Sequence, residues 1–395
     1  MKRILFFAES VTLAHLARPY VLANAVKAEF DTHLGTSSVY EHLFQFDGIT
    51  RHRITSLSPH EFTRRLNGIR PVYRASEIEA NVAEDLKLID EIKPDILVGD
   101  FRLSLYISAR LRKIPHLTIT NAYWSPLVKQ RFVVPDLPFV RYMGTNLSQA
   151  MFSTVFPLAF YFHARPFIRL CEKYGVNPPG NDIRSVYTAG DITLFADIPE
   201  LYSNSPSLNS DHFIGPVMWN PVLDLPEWWN QIPTDKPRVY VTMGSSGRSS
   251  VLATILQGVE RAGCTAIVSG AGNANKDSMR TGTFFSDFLP GNKVAEMVDL
   301  VICNGGSPTS QQALFAGRPV MGIAGNLDQH LNMQSLRQSG VGEMIRSDAV
   351  TATKVTAGIK HLLENQKVQN RAEEMASIMS RYDAGERFLS KIKQL

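Results

Sequence analysis

Short apolar runs alternate along the chain with longer stretches whose apolar side chains recur every three or four residues. That is the pattern of parallel strands covered on both faces by helices. Ile4 to Ala8 reads as a buried strand, about Thr12 to Ala28 as a helix, and Thr32 to Leu34 as a second strand. Ser58 with Glu61, and Ser76 with Glu79, each match the S-x-x-E capping box, and Ile78, Val82, Leu86 and Ile89 then share one helical face before Pro94. Ile96 to Val98 predicts a strand ending at Gly99 and Asp100, and His116 to Ile119 another. Between Trp219 and Pro237 the periodicity gives way to NPVLDLPEWWNQIPTDKP, the composition of an ordered linker. It then resumes with a strand at Val239 to Thr242, the loop Gly244-Ser245-Ser246-Gly247, a helix near Ser250 to Arg261 and a strand at Thr265 to Ser269. The predicted class is α/β, with two Rossmann-like domains at residues 1–218 and 238–374 joined by a linker at 219–237.

Composition narrows the function. The chain has 395 residues, 44% hydrophobic and 20% charged, enough apolar content for two cores and too much for wholesale disorder. Its formal net charge of +4 is too small and too dispersed to argue for nucleic-acid binding. Cys171, Cys264 and Cys303 are odd in number and lack a C-x-x-C spacing, so neither a disulfide framework nor a thiolate zinc site is expected, and a cytoplasmic location is. The amino-terminal run reads as a first strand, not a leader. The longest apolar stretch, Met151 to Phe162, is interrupted by Ser153, Thr154 and Pro157 and falls short of the roughly 18 residues of a membrane span. No D-x-D, H-E-x-x-H, G-x-S-x-G or Walker A pattern occurs, which weakens metal-dependent, hydrolase and P-loop readings.

The richest chemistry lies in DLVICNGGSPTSQQALFAGRPVMGIAGNLDQHLNM, Asp299 to Met333. Gly305 and Gly306 let the backbone approach a ligand, and Pro308 suits the first turn of a helix whose free amides and dipole attract an anion, although a bare Gly-Gly is also a tight turn in any α/β protein. This ordered constellation resembles the donor signature of the UDP-glycosyltransferase family, the inverting GT-B enzymes of macrolide and plant natural-product type. The resemblance implies that Gly305, Gly306 and Thr309 hold the diphosphate and that Asp328 and Gln329 hydrogen-bond the sugar. Asn304 stands where the family has a phosphate-binding His, and Gln312 where a Glu meets the ribose. Phe288 is similar to the family's base-stacking aromatic, and Gly244, Ser245 and Ser246 resemble its second phosphate-facing loop.

On the acceptor side, His15 follows the first strand and Asp100 ends another, where ligands gather beyond the carboxyl ends of parallel strands. An imidazole there could take a proton from an acceptor hydroxyl, oriented by the carboxylate, and the family uses such a His and Asp pair. A helix cap and a surface histidine are the plainer readings of the same two residues. From Phe101 to Cys171 nine Lys or Arg accompany one acid, Asp136, among many aromatics, of which Tyr123, Trp124 and Phe139 are candidate acceptor contacts. The resemblance implies a GT-B fold with parallel sheets facing a cleft and a last helix, about 375–395, packing back on the first domain. It also implies metal-independent hexosyl transfer from a UDP- or dTDP-sugar co-substrate to a hydroxyl of a hydrophobic or aromatic small molecule, with no further cofactor. A glycolipid synthase touching a membrane surface, a nucleotide-sugar epimerase and a catalytically silent auxiliary protein of this fold are the alternatives.

Overall fold

A computed structural model describes every residue except 67, 69, 245, 246, 271–279 and 281. Two six-stranded sheets, parallel throughout, carry the fold. The first contains β1 (Arg3–Ala8), β2 (Asp31–Thr36), β3 (Thr50–Arg53), β4 (Ile96–Asp100), β5 (His116–Thr120) and β6 (Ile192–Phe195), in the order β3-β2-β1-β4-β5-β6. The second contains β7 (Arg238–Thr242), β8 (Thr265–Ser269), β9 (Phe284–Ser286), β10 (Leu300–Cys303), β11 (Val320–Ala324) and β12 (Gly342–Arg346), in the order β12-β11-β10-β7-β8-β9. Counted from the first strand of each, the two orders are one topology, the doubly wound Rossmann order, whose direction reverses between β1 and β4 in one sheet and between β7 and β10 in the other. Ligands bind beyond the strand ends at that reversal, so the fold alone points to the loops after these four strands.

The chain divides into two compact units. The first comprises Met1–Lys129, Ala150–Trp219 and Tyr382–Leu395; the second comprises Gln130–Gln149 and Asn220–Arg381. In the first, Phe6, Leu34, Val98, Ile119 and Leu194 from the strands form one buried cluster with Phe388 and Ile392. The Phe6 and Phe388 rings lie 5.8 Å apart, so the helix Ala384–Ile392 completes the core of this unit. The carboxyl-terminal segment is two helices, Gln366–Met379 and Ala384–Ile392, and not the one helix of about 375–395 that the resemblance implies. Asp383 starts the second by accepting from the Glu386 backbone N–H at 2.9 Å. The third-strand helix also differs slightly from expectation: it runs Ala75–Ile92, because Glu77 instead of Glu79 reaches back to the Arg74 backbone N–H, at 2.9 Å.

The first unit also buries a charged knot. Arg102, fully buried just past β4, places Nη1 2.9 Å from Glu9 and 2.6 Å from the Thr55 carbonyl, and Nη2 2.8 Å from both Asp85 and Glu84. Asp85 in turn accepts from Ser104 Oγ at 2.6 Å. Burial, the largest influence, holds the Asp85 carboxyl above the ordinary carboxylate range, against the pull of Arg102. Arg102 therefore ties the ends of β1 and β4 to the helix Ala75–Ile92. Replacing it with Met leaves Glu9 and Asp85 buried without a counter-charge, and a loss of about 3–5 kcal/mol of unfolding free energy is expected. Urea titration checks this, and a loss below about 1 kcal/mol would show that the knot does not anchor the strand ends.

Candidate active site

His15 is the third residue of the helix Leu13–Val26, whose amino-terminal residue, Thr12, makes no side-chain cap. Asp100 is the last residue of β4 and lies in register with Ala8 of β1. The reversal of strand order thus brings two residues 85 positions apart side by side, His15 Nδ1 standing 2.7 Å from Asp100 Oδ1. Asp100 is 1% exposed, whereas the imidazole is 20% exposed. A carboxylate accepts only, so the contact with Asp100 places the proton on Nδ1 and the lone pair on Nε2; Arg18 Nη2, which also stands 3.1 Å from Nδ1, donates to Asp100 at the shorter 2.9 Å. No described residue hydrogen-bonds to Nε2.

The sequence reading did not single out Arg18, one helical turn beyond His15. Its guanidinium grips Asp100 as a fork, Nε to Oδ2 at 2.7 Å and Nη2 to Oδ1 at 2.9 Å, while Nη1 donates to Asn121 Oδ1 at 2.7 Å. Asn121 donates to Asp197 at 3.1 Å, and Asp197 also accepts from the Ala122 backbone N–H at 2.6 Å. The loops after β4, β5 and β6 are thereby linked through polar groups that end at His15. Burial would lower the pKa of Arg18, but Asp100, Tyr123 and Asp197 outweigh it and hold it above the ordinary value. Burial pushes the Asp197 carboxyl up to about 6 despite its donors. The signal for Arg18 was available in the helical spacing of His15 and Arg18, which places both on one face.

Phe101 is the second unanticipated residue. Its φ of +60° is left-handed, rare for a side chain without a local hydrogen bond, and its ring stacks on His15 with centroids 4.8 Å apart and planes at 21°. Phe62, Tyr73 and Tyr187 surround the far side of Phe101 at 5.1 to 6.2 Å, and Trp124 meets Tyr187 edge-on at 5.0 Å. Tyr73, Tyr187, Leu103, His163 and Phe167 line a small cleft in the same unit. Of the expected acceptor contacts, Trp124 is half-buried in this aromatic group, Tyr123 is 1% exposed and packed in the core, and Phe139 belongs to the second compact unit. The three do not form one cluster within a unit.

The second unit assembles its candidate residues after β7 and β10. Gly305 has φ +84°, and a Cβ there would meet the Met333 side chain at 2.8 Å, so the turn requires glycine. Gly306 is the N-cap of the helix Ser307–Phe315 and supplies no side chain to its amides. Asn304 Oδ1 accepts from the Gly306 backbone N–H at 3.0 Å, and Asn332 Nδ2 donates to the Gly305 carbonyl at 2.8 Å and to Ser310 Oγ at 2.9 Å. Thr309 sits half-buried in the helix's first turn. Gly244, at φ +56°, lies beside Asn304, since a Cβ on it would come 3.5 Å from Asn304 Nδ2. Ser245 and Ser246 lie outside the described residues.

Gln312 donates to Asn220 Oδ1 at 3.0 Å, which anchors the linker to this helix. Gln329 caps its own helix, Leu327–Gln338, its Oε1 accepting from the Gly325 and Asn326 backbone N–H groups at 2.9 and 3.3 Å. Its buried Nε2 is left without a partner among the described residues. Asp328 is half-buried in the first turn, and Phe288, past β9, is 41% exposed. Asp136 enters this unit from the segment Gln130–Gln149: its backbone N–H donates to the Gly325 carbonyl at 2.8 Å, and its carboxylate accepts from Arg346 at 3.0 Å. Burial pushes Asp136 up to about 6. Among the described residues no cluster of His, Cys, Asp or Glu could hold a metal ion.

A family model described as the erythromycin biosynthesis protein CIII-like carboxyl-terminal domain matches residues 263–384. A PGL/p-HBAD biosynthesis glycosyltransferase of Mycobacterium tuberculosis strain H37Ra is 37% identical over 376 residues, covering 95% of this chain and 88% of the relative. A PGL/p-HBAD biosynthesis rhamnosyltransferase of Mycobacterium bovis strain BCG is 36% identical over 385 residues, covering 97% and 86%. Among solved structures, spinosyn rhamnosyltransferase SpnG with spinosyn aglycone superposes with a TM-score of 0.69 at 17% identity, covering 99% of this chain and 100% of that one. The same enzyme with thymidine diphosphate gives 0.68 at 17% identity, with full coverage of both chains.

His330, behind the Asp328–Gln329 pair, is buried with Nδ1 3.3 Å from Met344 Sδ, and burial, aided by Arg346, pushes its pKa down to about 4. The unfolded ring protonates near the ordinary 6.5. Between these values the unfolded chain binds the extra proton, so stability present above pH 6.5 is lost as pH falls toward 4, by up to about 1.4 kcal/mol per pH unit. Urea titrations at a series of pH values across that window should show a shallower slope for His330→Gln than for the parent chain. An unchanged slope would mean that this ring does not govern the acid sensitivity.

Proposed function

We propose that this chain, which belongs to the glycosyltransferase family of the PGL/p-HBAD biosynthesis enzymes and is a GT-B glycosyltransferase, moves a sugar from a UDP- or dTDP-sugar to a hydroxyl of a hydrophobic or aromatic small molecule, with inversion. The carrying observation is the His15 and Asp100 pair at 2.7 Å, with Nε2 left open at the strand-order reversal. His15 Nε2 takes the proton of the acceptor hydroxyl as its oxygen attacks the anomeric carbon. The bond from that carbon to the diphosphate breaks, and the nucleoside diphosphate leaves with its electron pair. Asp100 fixes the tautomer and faces the imidazolium that forms, and Arg18 holds Asp100 in place.

For the leaving diphosphate the second unit offers the amino-terminal turn of the helix Ser307–Phe315 behind Gly305 and Gly306, where the N-cap glycine brings no side chain and Thr309 adds a hydroxyl. Asn304, in place of the family's His, supports this role by bonding the Gly306 N–H and so shaping the turn. The free Nε2 of Gln329 is a donor suited to a sugar hydroxyl, beside the carboxylate of Asp328. The thymidine diphosphate complex of SpnG and the rhamnosyltransferase name of one relative support a deoxythymidine-linked donor.

Transfer from UDP-glucose and dTDP-glucose to a library of phenols and aliphatic alcohols, read by mass shift, tests the reading. His15→Ala should lower turnover by about 10²- to 10⁴-fold. Calorimetric affinity for the matching nucleoside diphosphate should stay within about threefold, since the ring acts on the acceptor proton and not on the leaving group. Undiminished transfer by His15→Ala would remove the base from the mechanism, and release of an epimerised sugar without acceptor would replace transfer by epimerisation.

A further inference from the structure

The helix Thr145–Lys173 has one face that the fold does not use. Phe160, Ala164, Phe167 and Cys171 on its inner side are buried in the first unit. On the other side, Met151, Val155, Leu158 and Phe162 follow one another in steps of four, three and four residues, which is a single stripe on a helix. All four are exposed, Leu158 by 69% and Phe162 by 55%. The same stepping continues to Arg165 and Arg169, both exposed and without an ion-pair or hydrogen-bond partner among the described residues. No Asp, Glu, Lys or Arg occurs from Thr145 to Ala164. The only acid on the helix is Glu172, in its last turn, where Lys173 pairs with Glu79.

The geometry points to a membrane-docking face: we propose that Met151, Val155, Leu158 and Phe162 enter the headgroup region of an anionic bilayer while Arg165 and Arg169 bind lipid phosphates at its edge. An uncharged apolar row of three turns exposed to water is unfavourable unless something covers it. Two unpaired cations at one end of the row, with no acid on the helix before Glu172, select an anionic surface. The helix lies on the bilayer and does not cross it, since no helix among the described residues is long and apolar enough to span. Docking of this kind would hold the enzyme where hydrophobic acceptors collect. It deepens the acceptor class proposed above, but its test needs no sugar transfer, so either can fail alone.

The full chain is sedimented with vesicles of phosphatidylcholine, alone or mixed with phosphatidylglycerol, at low and physiological salt. Binding to the mixed vesicles is expected, weakened by salt and at least tenfold weaker on pure phosphatidylcholine. Arg165→Gln with Arg169→Gln should weaken binding by about thirtyfold at low salt. Leu158→Asn with Phe162→Asn should reduce it by about as much or more. As these positions are exposed, circular dichroism should be unchanged. Phe162→Trp provides a second readout, with fluorescence shifting to the blue only when the indole leaves water. No binding to anionic vesicles, binding that none of these changes weakens, or a dimer in sedimentation velocity that the Leu158 and Phe162 changes dissolve without any vesicle binding would each overturn the proposal.

Discussion

A single buried carboxylate organises the first unit's strand-end loops. Asp100, closed off from water at the end of β4, would be untenable as an unpaired ion, because desolvating a carboxylate costs several kcal/mol. The fork from Arg18 removes that penalty with two charge-assisted bonds, and His15 completes the shell with a third. His15 is therefore held by the same group that the strand end needs for its own stability. The extra bond from Arg18 to Asn121 extends the constraint to the loop after β5, and Asp197 extends it to the loop after β6. Phe101 adds rigidity from another direction, as its left-handed backbone turns the ring under the imidazole at a conformational cost of about 1–3 kcal/mol.

In the second unit, the proposed diphosphate contact rests on backbone in place of side chains. A leaving group with several negative charges needs donors that do not have to be desolvated or reoriented, and the first amides of a helix satisfy this once nothing else occupies them. Gly306 at the N-cap contributes no competing side chain, and Asn304, Asn332 and Ser310 each bond backbone or side-chain groups of the turn. Burial also pushes the Cys303 thiol up to about 12, so the sulfur next to this turn adds no charge near neutral pH.

The strands were the most legible feature of the sequence. Continuous runs such as Ile4 to Ala8 and Thr265 to Ser269 match β1 and β8 almost residue for residue, because a strand covered on both faces must be apolar throughout. The turn residues Gly305 and Gly306 were readable for the same kind of reason: a glycine doublet between a strand and a helix has few uses. Other features depend on tertiary contacts and left weaker traces. The helix Thr145–Lys173 contains Pro157 and Pro166, which local rules read as breaks, yet it persists because packing outweighs propensity. Tyr123 and Trp124 are adjacent in sequence, but one is core and the other borders the aromatic cluster, a split that no local pattern encodes. Gln329 shows a further limit, since its side chain both caps a helix and keeps a free donor.

The seating of Phe388 and Ile392 beneath the first sheet also orders events in time. Translation delivers β1 to β6 early, but the apolar floor under Phe6 stays open until the entire second unit has left the ribosome. The first unit's core is therefore complete only with residues that are synthesised after the whole second unit.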